Sequence, residues 1–313
     1  MYEHAVALAR RYPDVPLPGN GEPFPNDRAR DDDETYDSDG TLTAGLIDHF
    51  FSTPVKHRDI AGLCRQANGF RLPVHRKLAI AAAIGRADPD QARELGRHLT
   101  RRSSDENPTV LGMAILTEVG TEEDVSLIRT IGLLSNTFGP LAAGALARLP
   151  HATANLIWLA DRAAGWGRVY LVEAICRLGD PAAERWLLSK PCDGNYLNGY
   201  FAHQVACAAP VHEAIAVAEV DEEVVDHTGR LLVALVWGAG MGGTLLDYAH
   251  AEQVLADYFS RLCRLGPSRS RNYAARTLCE FLNGEAYLQP PEWESLDSLR
   301  IAYRSLVIAG GGG

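Results

Sequence analysis

The sequence predicts an all-α chain built from stacked pairs of short helices. Apolar residues recur at three- and four-residue steps, and turns that end helices recur at regular intervals. The helical pairs between these turns are too short to bury both of their apolar faces, so each pair needs a neighbouring pair beside it. The stretch Leu159–Leu188 shows all three features most clearly.

Within that stretch, residues 169–178 carry a wide apolar stripe with the period of a helix. Gly179 follows the last apolar residue, where a helix most easily ends in a left-handed C-cap. Asp180 then suits the N-cap of the next segment, and Pro181 suits its first helical position. The pattern therefore predicts a helix, a tight turn and the start of another helix.

Looser copies of this turn occur upstream. Comparable turns fall at Asp88, Thr121, His151 and Asp180, spaced 33, 30 and 29 residues apart. This spacing lies in the range of repeats made of helical pairs. We therefore expect successive pairs to stack and to share a continuous core.

At Asp161–Leu188, and also at Arg76–Leu99, the chain resembles HEAT-like repeats of the short type with a Leu-Gly-Asp-Pro turn. The resemblance implies a right-handed α-solenoid of about five or six helical pairs over residues 41–309. It also implies that the second helices line a concave surface that binds partners. It implies no particular chemistry, because packing residues define the family. An irregular helical bundle is the alternative.

Residues 1–40 differ in character from the rest of the chain. A short helix is expected at residues 2–12, and the prolines and acidic residues that follow predict an arm that is largely disordered. The glycine tail 310–313 is expected to be disordered as well. Arg71–Arg102 is the one clearly basic segment, and it is interpreted either as a solvated helix surface or as a docking surface for the acidic arm.

Composition narrows the possible functions. The formal net charge of −10 argues against nonspecific nucleic-acid binding, which depends on many basic contacts to phosphate. No apolar run of about 18 residues is present, so no membrane span is expected. The first residues lack the apolar region of a signal peptide. These features favour a cytoplasmic protein, and the preference for Arg over Lys suggests a bacterial source with a GC-rich genome.

Most motifs that name a chemistry fail on inspection. The glycines of residues 238–243 match G-x-G-x-x-G, but no series of βαβ units surrounds them, so an inter-helix loop is favoured over dinucleotide binding. The segment Asp37–Gly40 lacks the ligands of a calcium loop. The six cysteines form no C-x-x-C, and the histidines form no H-E-x-x-H. No cofactor or metal is therefore expected, and the cysteines are predicted to be reduced thiols in the core.

The concave surface remains as the candidate site. We predict a binding groove near residues 168–230 for a protein or peptide, because Tyr and Arg are common at interfaces. The predicted groove residues are Arg168, Tyr170, Glu173, Arg177, Tyr200, His203, Gln204 and Arg230.

A non-enzymatic binding scaffold or adaptor is the preferred function for such a groove. Two alternatives stay open. An acidic inhibitor or immunity-type protein would neutralise a basic partner through charge complementarity. An enzyme would use Glu173 and His203 as acid and base in a closed pocket.

Overall fold

A computed structural model describes residues 1–26, 35–286 and 288–310. Over these ranges the chain forms α-helices and short 3-10 helices and no β-strand, which confirms the predicted all-α class. The chain divides into two compact units, Met1–Ile175 and Cys176–Gly313, and each is described by itself. Among the described residues, no helix combines the length and the apolar character needed to cross a membrane.

The first unit holds nine complete helices among its described residues and most of a tenth. These are α1 (Tyr2–Arg11), α2 (Thr41–Ser52), α3 (Ile60–Ala67), α4 (Leu78–Arg86), α5 (Pro89–Arg102), α6 (Glu106–Val119), α7 (Val125–Gly132), α8 (Ser135–Leu146), α9 (Ala152–Ala160) and α10 (Gly165–Leu178).

Helix contacts in the first unit follow an alternating pattern. Helix α4 contacts both α2 and α6, and α6 also contacts α8; in the same way α7 contacts both α5 and α9. Neighbours along the chain form the pairs α5–α6 and α7–α8. Helix α6 lies at the centre of these contacts, and every residue from Pro108 to Thr117 is buried. A helix that is buried all round belongs to the interior of its unit rather than to its surface.

All four predicted turns lie between helices. The Asp88 carboxylate accepts a hydrogen bond from the Gln91 amide at 2.9 Å and caps α5. Thr121 forms a reciprocal capping box with Asp124, and His151 adopts a left-handed conformation with φ of 57° before α9. These local caps explain why turn chemistry could be located from sequence.

The turn after α10 has the predicted geometry. Gly179 has a φ of +60°, the left-handed conformation that favours glycine at a helix C-terminus. The Asp180 side chain accepts a hydrogen bond from the Ala182 amide at 3.0 Å, and Pro181 begins a 3-10 helix. The short helix α11 (Glu184–Leu187) follows.

The described part of residues 1–40 contains packed segments. Helix α1 contacts α5 and α7, and both Met1 and Ala5 are buried. The short helix expected at residues 2–12 is therefore present as α1, and Leu17 and Phe24 of the proline-rich stretch that follows it are buried as well. Residues 27–34, which include most of the acidic run, lie outside the described residues, as do residues 311–313 of the glycine tail.

Two acidic residues that follow residues 27–34, Asp37 and Asp39, accept hydrogen bonds from backbone amides. The buried carboxylate of Asp37 accepts hydrogen bonds from the amides of Leu42 and Thr43, at 3.1 and 2.8 Å, and from the Thr43 hydroxyl at 2.6 Å. Asp39 accepts a hydrogen bond from the Thr41 amide at 2.9 Å. Both carboxylates therefore satisfy the N-terminus of α2, which is where a helix favours negative charge.

The second unit contains the end of α10, α11 and six further helices. These are α12 (Ala202–Ala208), α13 (Val211–Ala216), α14 (Glu222–Trp237), α15 (Ala251–Leu265), α16 (Arg269–Leu282) and α17 (Leu296–Gly310).

Alternating contacts are present in this unit too. Helix α14 contacts α12 and α16, while α15 contacts α13 and α17. Helix α14 begins at Glu222, where the Asp221 side chain caps it by accepting a hydrogen bond from the Glu223 amide at 3.0 Å. Tyr258 and Tyr303 are the largest fully buried side chains of the second unit.

Candidate binding site

The second unit contains an open cavity of about 490 Å³. It lies between helices α14 and α16, the loop before the 3-10 helix Tyr196–Tyr200, and the glycine-rich loop after α14. We call it the aromatic pocket. Its lining residues are Gly194, Asn195, Tyr196, Asn198, Gly229, Arg230, Val233, Ala234, Trp237, Met241, Ser270, Tyr273 and Ala274.

Three aromatic side chains of the pocket remain in contact with solvent. Tyr196 is 72%, Tyr273 59% and Trp237 48% exposed. Most large apolar side chains are buried in folded proteins, so three exposed rings around one cavity form an apolar surface that a ligand could cover. They come from three separate segments: the 3-10 helix, the end of α14 and the first turns of α16.

Hydrogen bonds fix the loop that forms one wall of the pocket. The Asn195 side chain accepts a hydrogen bond from the Leu197 amide at 3.0 Å, and the Asn198 side chain accepts one from the Gly194 amide at 3.0 Å. On the opposite side, Arg230 Nε donates to the carbonyl oxygen of Cys192 at 2.6 Å. The loop is thereby tied to α14, and the shape of the pocket exists before any ligand arrives.

The floor of the pocket depends on a close approach between helices. A Cβ atom at Gly229 would lie 2.2 Å from the Tyr258 hydroxyl and 3.3 Å from the Cβ of Ala274. Because Gly229 has no side chain, Tyr258 fills the space below it and α14 can lie close to α16. The Tyr258 hydroxyl is buried and has no hydrogen-bond partner among the described residues.

Two glycines of the loop 238–243, Gly242 and Gly243, allow close packing. A Cβ at Gly242 would lie 2.8 Å from the carbonyl oxygens of Gly199 and Tyr200, and one at Gly243 would lie 2.4 Å from the His203 ring. The loop follows helix α14 rather than a strand, so the dinucleotide-binding context is absent from it. The favoured interpretation, an inter-helix loop, is confirmed.

Three predicted groove residues lie in the first unit. Arg168 is only 8% exposed and donates from Nη1 to the Ala160 carbonyl oxygen at 2.5 Å, so it holds two segments together and is not available at a surface. Tyr170 is half-buried, with its ring 4.9 Å from His75 and 6.2 Å from Trp166. Glu173 is half-buried on α10.

The other five predicted residues lie in the second unit, and only Arg230 lines the aromatic pocket. Tyr200 contributes its backbone to the packing of Gly242. His203 contacts Gly243, and its Nε2 lies 3.2 Å from the Asp247 carbonyl oxygen. Arg177 and Gln204 are exposed.

A group of titratable side chains surrounds His203. The His203 Nε2 lies 3.7 Å from the Cys207 sulfur. Burial, together with the nearby Cys207 thiol, raises the pKa of Tyr248 to about 12. Burial also raises the pKa of Cys207, which disfavours the reactive thiolate. No group of three or more ligands suited to a metal occurs among the described residues, and none of the six cysteines, all of which are described, is in a disulfide. Their burial varies: Cys192 is buried, whereas Cys207 and Cys263 are exposed, so the expected core location fails for these two.

Arginines of the basic segment pair with carboxylates inside the first unit. Arg76 bonds to Glu118 at 2.6 Å, and Arg97 bonds to Asp124 at 2.5 Å. Arg71 exchanges backbone hydrogen bonds with residues 35–37 and lies over the Tyr36 ring. Residues 35–37 therefore do contact Arg71. The charges of Arg76 and Arg97 are instead neutralised by Glu118 and Asp124.

Sequence patterns did not reveal the aromatic residues of the pocket. Tyr196 begins a short 3-10 helix, Trp237 ends an apolar run, and Tyr273 interrupts a polar helix face. Only Tyr273 gave a usable sequence signal, because helix packing does not explain an aromatic residue on a polar helix face. Nothing local indicated that the three rings would line the same cavity.

No protein-family model matches the chain, and neither a curated protein nor a solved structure matches it. The function proposed below is therefore inferred from the chemistry of the site.

Proposed function

We propose that this protein is a non-enzymatic binding scaffold or adaptor that engages a protein or peptide at the aromatic pocket. The observation behind the proposal is the cluster of exposed Tyr196, Trp237 and Tyr273 around a preformed cavity that also contains Arg230. Trp, Tyr and Arg are the residue types that contribute most to binding energy at protein interfaces.

The alternating helix contacts within each unit support a related proposal about architecture. Stacked pairs in which each helix contacts the second helix along the chain are typical of helical repeats. We propose that the chain is a HEAT-like α-solenoid of about five or six pairs and acts in the cytoplasm. Such repeats bind partners through side chains presented on successive helices, and the aromatic pocket lies between α14 and α16, which are two helices apart.

The two alternatives have less support. His203 packs against the glycine loop, and its Nε2 lies 3.2 Å from the Asp247 carbonyl oxygen, so its ring is already used in structure. The pocket has one formal charge, which is positive, and this does not suit a basic partner at that site. Neither alternative is supported by a specific observation.

Selection of peptides from a displayed library on the full chain tests the proposal. The counter-selection protein is the double variant Trp237→Ala/Tyr273→Ala, and the matched control is Val217→Ala/Ile301→Ala, which removes two exposed apolar side chains elsewhere in the same unit. We expect enriched peptides whose affinity falls by about 30-fold or more in the aromatic variant and stays unchanged in the control.

Thermal unfolding of both variants is measured to check that each is folded. The substituted side chains are exposed, so we expect small changes in stability for either variant. Peptides that bind the aromatic variant as tightly as the unchanged protein would place the binding surface elsewhere and refute the proposal, as would a selection that enriches no peptide.

A further inference from the structure

The charge of the aromatic pocket is unusual for this protein. The chain has a formal net charge of −10, yet no Asp or Glu is among the residues that line the pocket. Arg230 is the one lining residue with a formal charge, and the structure describes every lining residue. The residues that line the pocket therefore carry a single positive charge in an acidic protein.

Arg230 has donors available for a ligand. Its Nε donates to the Cys192 carbonyl oxygen at 2.6 Å, which holds the side chain in place. Its two terminal amino groups form no hydrogen bond or ion pair with any described residue. A guanidinium with a fixed Nε and open terminal donors is suited to an acceptor with two oxygens.

The amide side chains of the pocket add to this donor character. The oxygen of Asn195 is occupied by the Leu197 amide, so its NH₂ group is the part left for a ligand. The oxygen of Asn198 accepts from the Gly194 amide, and its nitrogen donates to Asp193 at 3.0 Å. The wall therefore presents donors next to Arg230, and the nearby Asp193 carboxylate, which does not line the pocket, accepts hydrogen bonds from the Asn195 backbone amide and the Asn198 side chain.

The exposed rings indicate which chemical group should lie next to the anion in a ligand of the aromatic pocket. Tyr196, Trp237 and Tyr273 would lose solvent contact only beneath an apolar or planar group. A phosphate group is a poor match, because its recognition in proteins relies on clusters of basic residues and this pocket has one. A carboxylate has the single charge and the two oxygens that one guanidinium can pair.

We infer that the pocket recognises a carboxylate attached next to a bulky apolar or aromatic group, as at the C-terminus of a peptide that ends in an aromatic residue. The carboxylate pairs with the terminal amino groups of Arg230, and the apolar group lies against Trp237 and Tyr273. This inference rests on the proposed function, since it specifies which part of a peptide enters the pocket.

Two probes that differ in one group test the charge. N-acetyl-phenylalanine carries the carboxylate, and its amide, N-acetyl-phenylalanine amide, has the same apolar body without the charge. Both are titrated at millimolar concentration into the full chain, and binding is followed by NMR chemical shifts. We expect the acid to bind about tenfold tighter than the amide, because hydrogen bonds to charged groups are the stronger ones.

Substitution of Arg230 identifies the partner of the carboxylate. In Arg230→Gln the preference for the acid should disappear, and in Arg230→Lys part of it should remain. Arg185→Gln removes an exposed charge from the same unit without touching the pocket and should leave the preference intact. The ratio of the two affinities is measured within each variant, so a modest loss of stability does not alter its meaning.

The outcomes separate this inference from the proposed function. Equal binding of acid and amide, or a preference that survives in Arg230→Gln, refutes the carboxylate inference. Failure of both probes to bind refutes it as well, even when selected peptides still depend on Trp237 and Tyr273 and the proposed function stands. If selected peptides ignore both aromatic residues, the proposed function fails and the inference fails with it.

Discussion

Arg97 bonds to Asp124 through two hydrogen bonds, from Nε to Oδ1 at 2.5 Å and from Nη2 to Oδ2 at 3.1 Å. The Asp124 side chain is fully buried, while Arg97 is 31% exposed. The same carboxylate accepts the Thr121 amide at 2.9 Å and closes the turn between α6 and α7. One predicted repeat turn therefore depends on an arginine from another helix.

Removing Arg97 should destabilise the first unit. In Arg97→Gln a buried carboxylate keeps its charge and loses its main partner, so we expect the free energy of unfolding to fall by roughly 3 kcal/mol. Urea denaturation measures the change. Arg86→Gln is the matched control, because the Arg86–Asp48 pair is exposed on both sides and such pairs contribute under about 1 kcal/mol. Equal effects of the two substitutions would contradict the role given to Asp124.

The same carboxylate should produce a dependence of stability on acid pH. Burial alone would raise the pKa of Asp124, but hydrogen bonds from Arg97 and the Thr121 backbone outweigh it and lower the pKa below the ordinary value. A group with a lowered folded pKa stabilises fully above its unfolded pKa of about 3.9 and loses this contribution as pH falls through the folded pKa.

We therefore expect unchanged protein to be more stable than Asp124→Asn by a constant amount above about pH 5, with the difference shrinking below about pH 4. Denaturant titrations at several pH values provide the test. Asp90→Asn, whose side chain is 86% exposed, should change stability little at any pH. A difference that grows on acidification would show that the pKa of Asp124 is raised.

Two buried tyrosines should respond differently to loss of their hydroxyl groups. Tyr258 and Tyr303 are both fully buried, but only Tyr303 donates a hydrogen bond, to the Leu255 carbonyl oxygen at 2.9 Å. Tyr303→Phe should cost about 1 kcal/mol, whereas Tyr258→Phe should be neutral or stabilising, because an unsatisfied buried hydroxyl is costly. The two variants are compared by urea denaturation. A clear loss of stability in Tyr258→Phe would show that its hydroxyl has a partner in solution.

The glycine-rich loop of residues 238–243 should be destabilised by an added methyl group at Gly242. Gly242→Ala places a Cβ 2.8 Å from two carbonyl oxygens, so the loop must shift, and we expect a loss of about 1–3 kcal/mol. Gly85→Ala is the control: it lies in helix α4 with nothing within 4 Å of the added Cβ, and it should stabilise by about 0.5–1 kcal/mol. Thermal unfolding distinguishes the two, and a tolerated Gly242→Ala would mean that the loop is not closely packed.

The part of the fold that could be predicted is the part determined locally. The turns at Asp88 and Asp180 depend on side chains that bond to amides within three residues, so sequence alone indicates them. The packing of α1 against α5 and α7 depends on residues far apart in the chain, and no local pattern reveals it. Arg168 differs from its predicted role for another reason: its chemistry suggested an interface, whereas its side chain is buried and donates to the Ala160 carbonyl oxygen.

The candidate site shows the same division. Arg230 is predicted from sequence because Arg is common at interfaces, but Trp237 and Tyr273 line one cavity with it only because α14 and α16 approach closely at Gly229. That approach depends on a small residue on one helix and a tyrosine from another. Spacing within a single helix contains no information about it.

The position of α1 has a consequence for synthesis of the protein. Most helices of the first unit contact elements close to them in the chain, so they can assemble while the ribosome is still extending the polypeptide. Helix α1 is the exception, because one of its partners, α7, starts at Val125. Helix α1 must therefore leave part of its apolar face uncovered until α5 and then α7, more than a hundred residues further along the chain, have emerged.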